Sequence, residues 1–182
     1  MHGPKVKYGA LVAITAMLAA GGAAVATGHG DRSSDAASFR AALTGYQEVP
    51  PLSTRAGGTF EASLTGDQQI SWELTYRDLE SAVQQAHIHF GQRAVNGGVS
   101  AFLCSNLAGA PAGTQPCPEP PARITGTIRP QDVVGPASQG IEPGAFDELL
   151  AAMRAKVTYA NVHSSTFPNG EIRGQIRPRG HR

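Results

Sequence analysis

The clearest regularity in the chain is an alternation of period two. Phe60, Ala62 and Leu64 alternate with Thr59, Glu61 and Ser63; after a break at Thr65-Gly66-Asp67-Gln68, Ile70, Trp72, Leu74 and Tyr76 alternate with Ser71, Glu73 and Thr75. Successive side chains of a strand point to opposite faces, so two such runs split by a Gly-Asp turn predict a β-hairpin with one buried face. Trp72, the single tryptophan, falls mid-strand on the apolar side and is expected in the core. The alternation returns at residues 123–129, with Ile124, Gly126 and Ile128 inward, and at residues 157–163. It closes at residues 171–177, with Ile172, Gly174 and Ile176 expected inward and Glu171, Arg173, Gln175 and Arg177 outward. The stretches 124–130 and 172–178 share the pattern IxGxIRP, and a glycine at a strand centre permits close backbone approach or a bulge. Residues 39–51 suit a short edge strand, because Pro50-Pro51 has no N–H to donate.

One segment changes period. Over residues 143–156, Phe146, Leu149, Leu150 and Met153 recur at three- and four-residue spacing. Glu142, Asp147 and Glu148 stand near the start and Arg154 and Lys156 near the end, the order a helix dipole favours. This helix is expected to plug one end of the fold. Six to eight short strands, turn-rich connections and one short helix predict an all-β class: an antiparallel Greek-key sandwich or flattened barrel.

The N-terminus changes the picture of where such a domain works. Lys5 and Lys7 precede a small apolar run ending in Ala24-Val25-Ala26, which fits a secretory signal with a small-x-small cleavage site. The run is short and split by Gly21-Gly22, so a lasting membrane span is disfavoured. The expected organisation is a signal peptide at 1–26, a flexible lead-in at 27–40, one domain at 41–178 and a tail at 179–182. Cleavage would leave about 156 of the 182 residues, with a formal charge of about −1. No basic run interleaved with aromatics remains, which argues against a nucleic-acid partner. Cys104 and Cys117 suit an oxidising compartment and are expected to pair across a Pro/Gly-rich loop that holds no further metal ligand.

Candidate chemistry lies in Gln85-Ala86-His87-Ile88-His89-Phe90-Gly91 and in Asn161-Val162-His163. In a strand, His87 and His89 share one face, about 6.6 Å apart. Three imidazoles, His163 being the third, form a facial ligand set of the kind that holds Cu or Zn. Metal-bound imidazoles are oriented by acceptors behind them. Asn161, on the face of His163, and Glu171, with Arg173 beside it, are the candidates for that supporting layer. The competing reading makes the histidines hydrogen-bonding ties for a loop or strand edge, with Glu171 and Arg173 in an ion pair nearby. Ser164, Ser165 and Thr166 adjoin His163, but no nucleophile-elbow glycine pattern surrounds them. Glu48, ahead of Val49-Pro50-Pro51, reads as an acceptor that fixes a loop.

The ordered set LTGYQEVPP (43–51), AHIHFG (86–91), NGGV (96–99) and NVHSSTFPNGEIRGQI (161–176) resembles the CHRD, or chordin-like, domain family. That resemblance implies an extracellular immunoglobulin-like β-barrel or sandwich, and it implies no particular activity. The His87-Ile88-His89 strand and Val162-His163 also look like the copper histidines of Cu/Zn superoxide dismutases. No histidine lies between Phe90 and Gly126, so the metal-bridging and zinc-loop ligands are missing and a two-metal dismutase is excluded. The expected function is that of a secreted or envelope-associated binding module, with one mononuclear Cu or Zn on His87, His89 and His163. The partner would be an extracellular protein or surface component. The alternatives are a copper-dependent redox enzyme and a purely structural or adhesive domain.

Overall fold

The computed structural model describes residues 38–180. The expected signal peptide and most of the lead-in lie outside the described residues. The strands are β1 (Ser38–Thr44), β2 (Gly57–Leu64), β3 (Ile70–Arg77), β4 (Val83–Phe90), β5 (Gly98–Ser105), β6 (Ala122–Ile128), β7 (Thr158–Ser164), β8 (Ile172–Gln175) and β9 (Arg177–Pro178). All pair antiparallel in one sheet ordered β5-β4-β7-β8-β1-β2-β3-β6, with β9 beside β1. The sheet curls into a nearly closed barrel.

The predicted hairpin forms between β2 and β3, with a register running from Gly57↔Arg77 to Leu64↔Ile70. Phe60, Ala62, Ile70, Trp72, Leu74 and Tyr76 are buried, because every second side chain of the pair faces the barrel interior. Trp72 packs over Gly126, its partner on β6. A Cβ at that glycine would overlap the indole, so the glycine of the first IxGxIRP stretch is a steric requirement of the tryptophan.

β1 is not an edge strand. It runs between β2 and β8 near the middle of the sheet. The chain leaves it through a 3-10 turn at Gly45–Gln47, so Pro50 and Pro51 lie beyond the ladder and cost it nothing. The helix α1 is shorter than its periodicity suggested, spanning Phe146–Arg154. It has no side-chain N-cap, and Lys156 beyond its end adopts a left-handed φ of 64°. Its apolar face is buried as expected, with Phe146, Leu149, Leu150 and Met153 in the core.

The barrel does not close strand to strand. The edges of β5 and β6 are joined by the connection between them, which carries the Cys104–Cys117 disulfide. Within that loop the Gln115 amide donates both to Leu103 O on β5 (3.2 Å) and to Thr125 O on β6 (3.0 Å), and Ser105 N donates to Gln115 O. Further along β5, Val134 N donates to Ser100 O. Among the described residues no helix is long and apolar enough to cross a membrane.

Candidate metal centre

Strands β4, β7 and β8 carry two buried faces of opposite character. Ala86, Ile88, Ala160, Val162 and Ile172 face the apolar core. On the other face the register sets Gln85 opposite His163, His87 opposite Asn161 and His89 opposite Tyr159, and on β8 Arg173 opposite Asn161 and Gln175 opposite Tyr159. This polar face is roofed by chain segments, not by water. Glu171, Arg173 and Gln175, expected outward, are therefore buried at 0%, 1% and 8% exposure. Alternation identifies which residues share a face; it does not reveal that loops cover it.

His87, His89 and His163 meet on that face, each presenting a ligand nitrogen within 4.8 Å of the others. Their hydrogen bonds assign the tautomers. His89 Nδ1 lies 3.0 Å from Gly97 O and His163 Nδ1 lies 3.0 Å from Pro168 O. A carbonyl only accepts, so both Nδ1 atoms carry the proton and both Nε2 atoms carry lone pairs. His87 Nδ1 stands 3.2 Å from His163 Nε2 and donates to it. The Nε2 lone pairs of His87 and His89 are left buried with no hydrogen-bond partner. Burial, and then the mutual repulsion of ring charges, pushes His87 down to about 2. Burial lowers His89 to about 4 against the raising effect of the Gly97 bond, and burial likewise lowers His163. All three rings are thus neutral near pH 7, the protonation state that ligates metals.

The surroundings fix the rings. His87 meets Phe102 edge-on at 4.4 Å between centroids. His89 stacks on Tyr159 at 4.7 Å and 3° between planes, and the Arg173 guanidinium lies over the Tyr159 ring, 3.4 Å from its centroid. Arg173 donates to Gln92 O, Val95 O and Asn96 Oδ1, so it also pins the loop that supplies the Gly97 carbonyl.

The residues expected behind the histidines are placed nearby but bonded elsewhere. Asn161 donates to Glu48 Oε1 (2.6 Å) and Ile172 O (2.9 Å). Glu171 Oε1 accepts from Thr54 Oγ1 (3.0 Å) and Glu80 N (2.9 Å), and Glu171 Oε2 has no partner. The ion pair expected between Glu171 and Arg173 is not among the salt bridges of the described residues; Arg173 binds carbonyls and an amide and lies over Tyr159, which stacks on His89. The orienting acceptors are instead the carbonyls of Gly97 and Pro168. Backbone groups leave no mark in residue identity, although the nearby Asn-Gly-Gly and Phe-Pro-Asn-Gly turns signal that chain folds back there. Glu48 fixes a loop as expected, but from a buried position. Desolvation raises it to about 7, against the lowering effects of Asn161 and Arg173. Gly170, at φ 123°, packs against Asn161 and Glu48, where a side chain would collide with both.

Searches among curated proteins and solved structures gave no match. The family model for the CHRD domain matches residues 39–176, which takes in β2 to β8, all of β1 but Ser38, and all three histidines. The chain belongs to the CHRD domain family.

Proposed function

We propose that this chain is a secreted or envelope-associated binding module that holds one mononuclear copper or zinc ion on His87, His89 and His163. The observation that carries the metal reading is the convergence of one nitrogen from each of three buried imidazoles within 4.8 Å, with the Nε2 lone pairs of His87 and His89 left without a partner. A bare buried acceptor costs roughly 1–3 kcal/mol, and a cation placed among the three rings would satisfy it. Rings held in fixed tautomers by carbonyls are what a histidine-ligated metal requires. A histidine tie for a loop explains the Nδ1 bonds alone and leaves the two buried Nε2 lone pairs without a purpose.

Export is supported by the Cys104–Cys117 disulfide and by the signal-like sequence ahead of the domain. The copper-dependent redox alternative needs an open coordination position. The His87 and His89 nitrogens are shielded from solvent, which favours binding over turnover. The partner in this reading is an extracellular protein or surface component.

Metal analysis of untagged protein tests the proposal. About one equivalent of copper or zinc is expected, lost when all three histidines become alanine. Protein that takes up neither ion after incubation and desalting would sink the metal assignment.

A further inference from the structure

We infer that the three-histidine centre selects a monovalent soft cation, copper in the cuprous state, over Zn(II) and Cu(II). This deepens the metal reading above and rests on it.

The donor set comes first. Each of the three neutral imidazoles offers one nitrogen, that of His163 becoming free when an ion displaces its bond from His87 Nδ1, and among the described residues no carboxylate or thiolate joins the cluster. Both cysteines are locked in the disulfide, and the bonded Glu171 oxygen is held by Thr54 and Glu80. An ion bound here keeps its full charge. The cost of burying an ion rises with the square of that charge, so a dication pays about four times the desolvation penalty of a monocation in the same cavity.

Coordination number points the same way. Structural zinc takes four protein ligands, and catalytic zinc takes three plus a water. The Nε2 atoms of His87 and His89 are closed off from solvent, and the Phe102 ring and the Tyr159 ring beneath Arg173 wall the site. Three ligands with no water suit a cuprous ion, whose single charge lets it rest in trigonal nitrogen coordination, whereas Zn(II), with an equally filled d shell but twice the charge, takes a fourth ligand.

A buried fixed cation adds to the bias. The Arg173 guanidinium, 1% exposed, lies over the ring of Tyr159, which in turn stacks on His89, and its charge acts on His89. A cation held so close opposes any positive ion, and it opposes a dication twice as strongly as a monocation.

The test is a set of competition titrations on the untagged wild-type chain. Cuprous ion is delivered anaerobically with ascorbate, which spares the disulfide, against a chromophoric cuprous chelator. Zn(II) and Cu(II) are titrated against their own indicators, and Ag(I) serves as a redox-inert stand-in for the cuprous ion. Cu(I) is expected to bind at least about 100-fold more tightly than Zn(II). Ag(I) should raise the melting temperature while Zn(II) leaves it nearly unchanged. X-ray absorption of the loaded protein should show three imidazole ligands and no fourth light atom, a readout that needs no variant to fold. Zn(II) or Cu(II) binding as tightly as Cu(I) at these histidines would overturn the cuprous selectivity and leave the metal centre standing. Failure of every ion to bind would overturn the centre itself.

Discussion

Gly126 and Trp72 illustrate how one residue type can be required by another across a sheet. The indole fills the space that a Cβ at 126 would occupy, on the partner strand directly opposite. Gly126→Ala is expected to destabilise the fold by roughly 1–3 kcal/mol through overpacking. Urea denaturation followed by the fluorescence of the single tryptophan checks it, and an unchanged midpoint would refute the steric account. The acid–base behaviour also belongs to single residues. In metal-free protein His87 and His89 stay neutral while their unfolded counterparts take up protons below about pH 6.5, so folding stability falls as pH falls through that range. Glu48 acts in the opposite sense. Its folded value near 7 lies above the ordinary 4.5, so its contribution is present at low pH and is lost as pH rises towards 7. Two or more histidines outweigh one carboxyl. Chelator-treated protein should lose at least about 1.4 kcal/mol per pH unit between pH 6 and 5 for each net proton taken up on unfolding. Glu48→Gln should steepen that loss, since the opposing group is gone; denaturation midpoints across the pH series read the slope.

At the scale of elements, the β2–β3 ladder sets Glu61 directly opposite Glu73, a like-charge pair that disfavours pairing. Arg179 on one side and Arg123 on the other neutralise them. Both pairs are solvent-exposed, so Arg123→Ala should cost no more than about 1 kcal/mol. The loop at residues 92–97 has a different status, because its carbonyls hang on a buried guanidinium. Arg173→Lys loses the planar fork that reaches three acceptors at once, and is expected to cost more than about 2 kcal/mol. It should also speed amide exchange in that loop; unchanged exchange there would show that Arg173 does not hold it. These elements also mark how far the sequence could be read. The hairpin, the histidine strand, β6, β7 and the helix face follow from periodicity, since one side of each meets the core. The central place of β1 was hidden, because Pro50-Pro51 looks like a strand terminator and the turn at residues 45–47 lies between. The burial of Glu171, Arg173 and Gln175 was hidden for another reason. A polar face covered by polar loops carries the same pattern as one covered by water. His87, His89 and His163 could be grouped from their spacing and likeness, whereas the carbonyls that orient them have no signature in side chains.

For the whole molecule, the disulfide closes a loop with a sequence separation of 13 next to the barrel seam. Reduction should lower stability by about 3 kcal/mol on loop entropy, visible as a fall in melting temperature. Gln115→Leu should cost a further 1–2 kcal/mol or so, because two carbonyls on different strands lose one shared donor. The Gln115 bridge has a consequence beyond stability. Strand edges with unpaired peptide groups invite neighbouring chains to dock by backbone pairing. Here Gln115 and its loop, with the Val134–Ser100 bond further along, occupy part of the edge a tenth strand would use and leave less of it open to a second molecule.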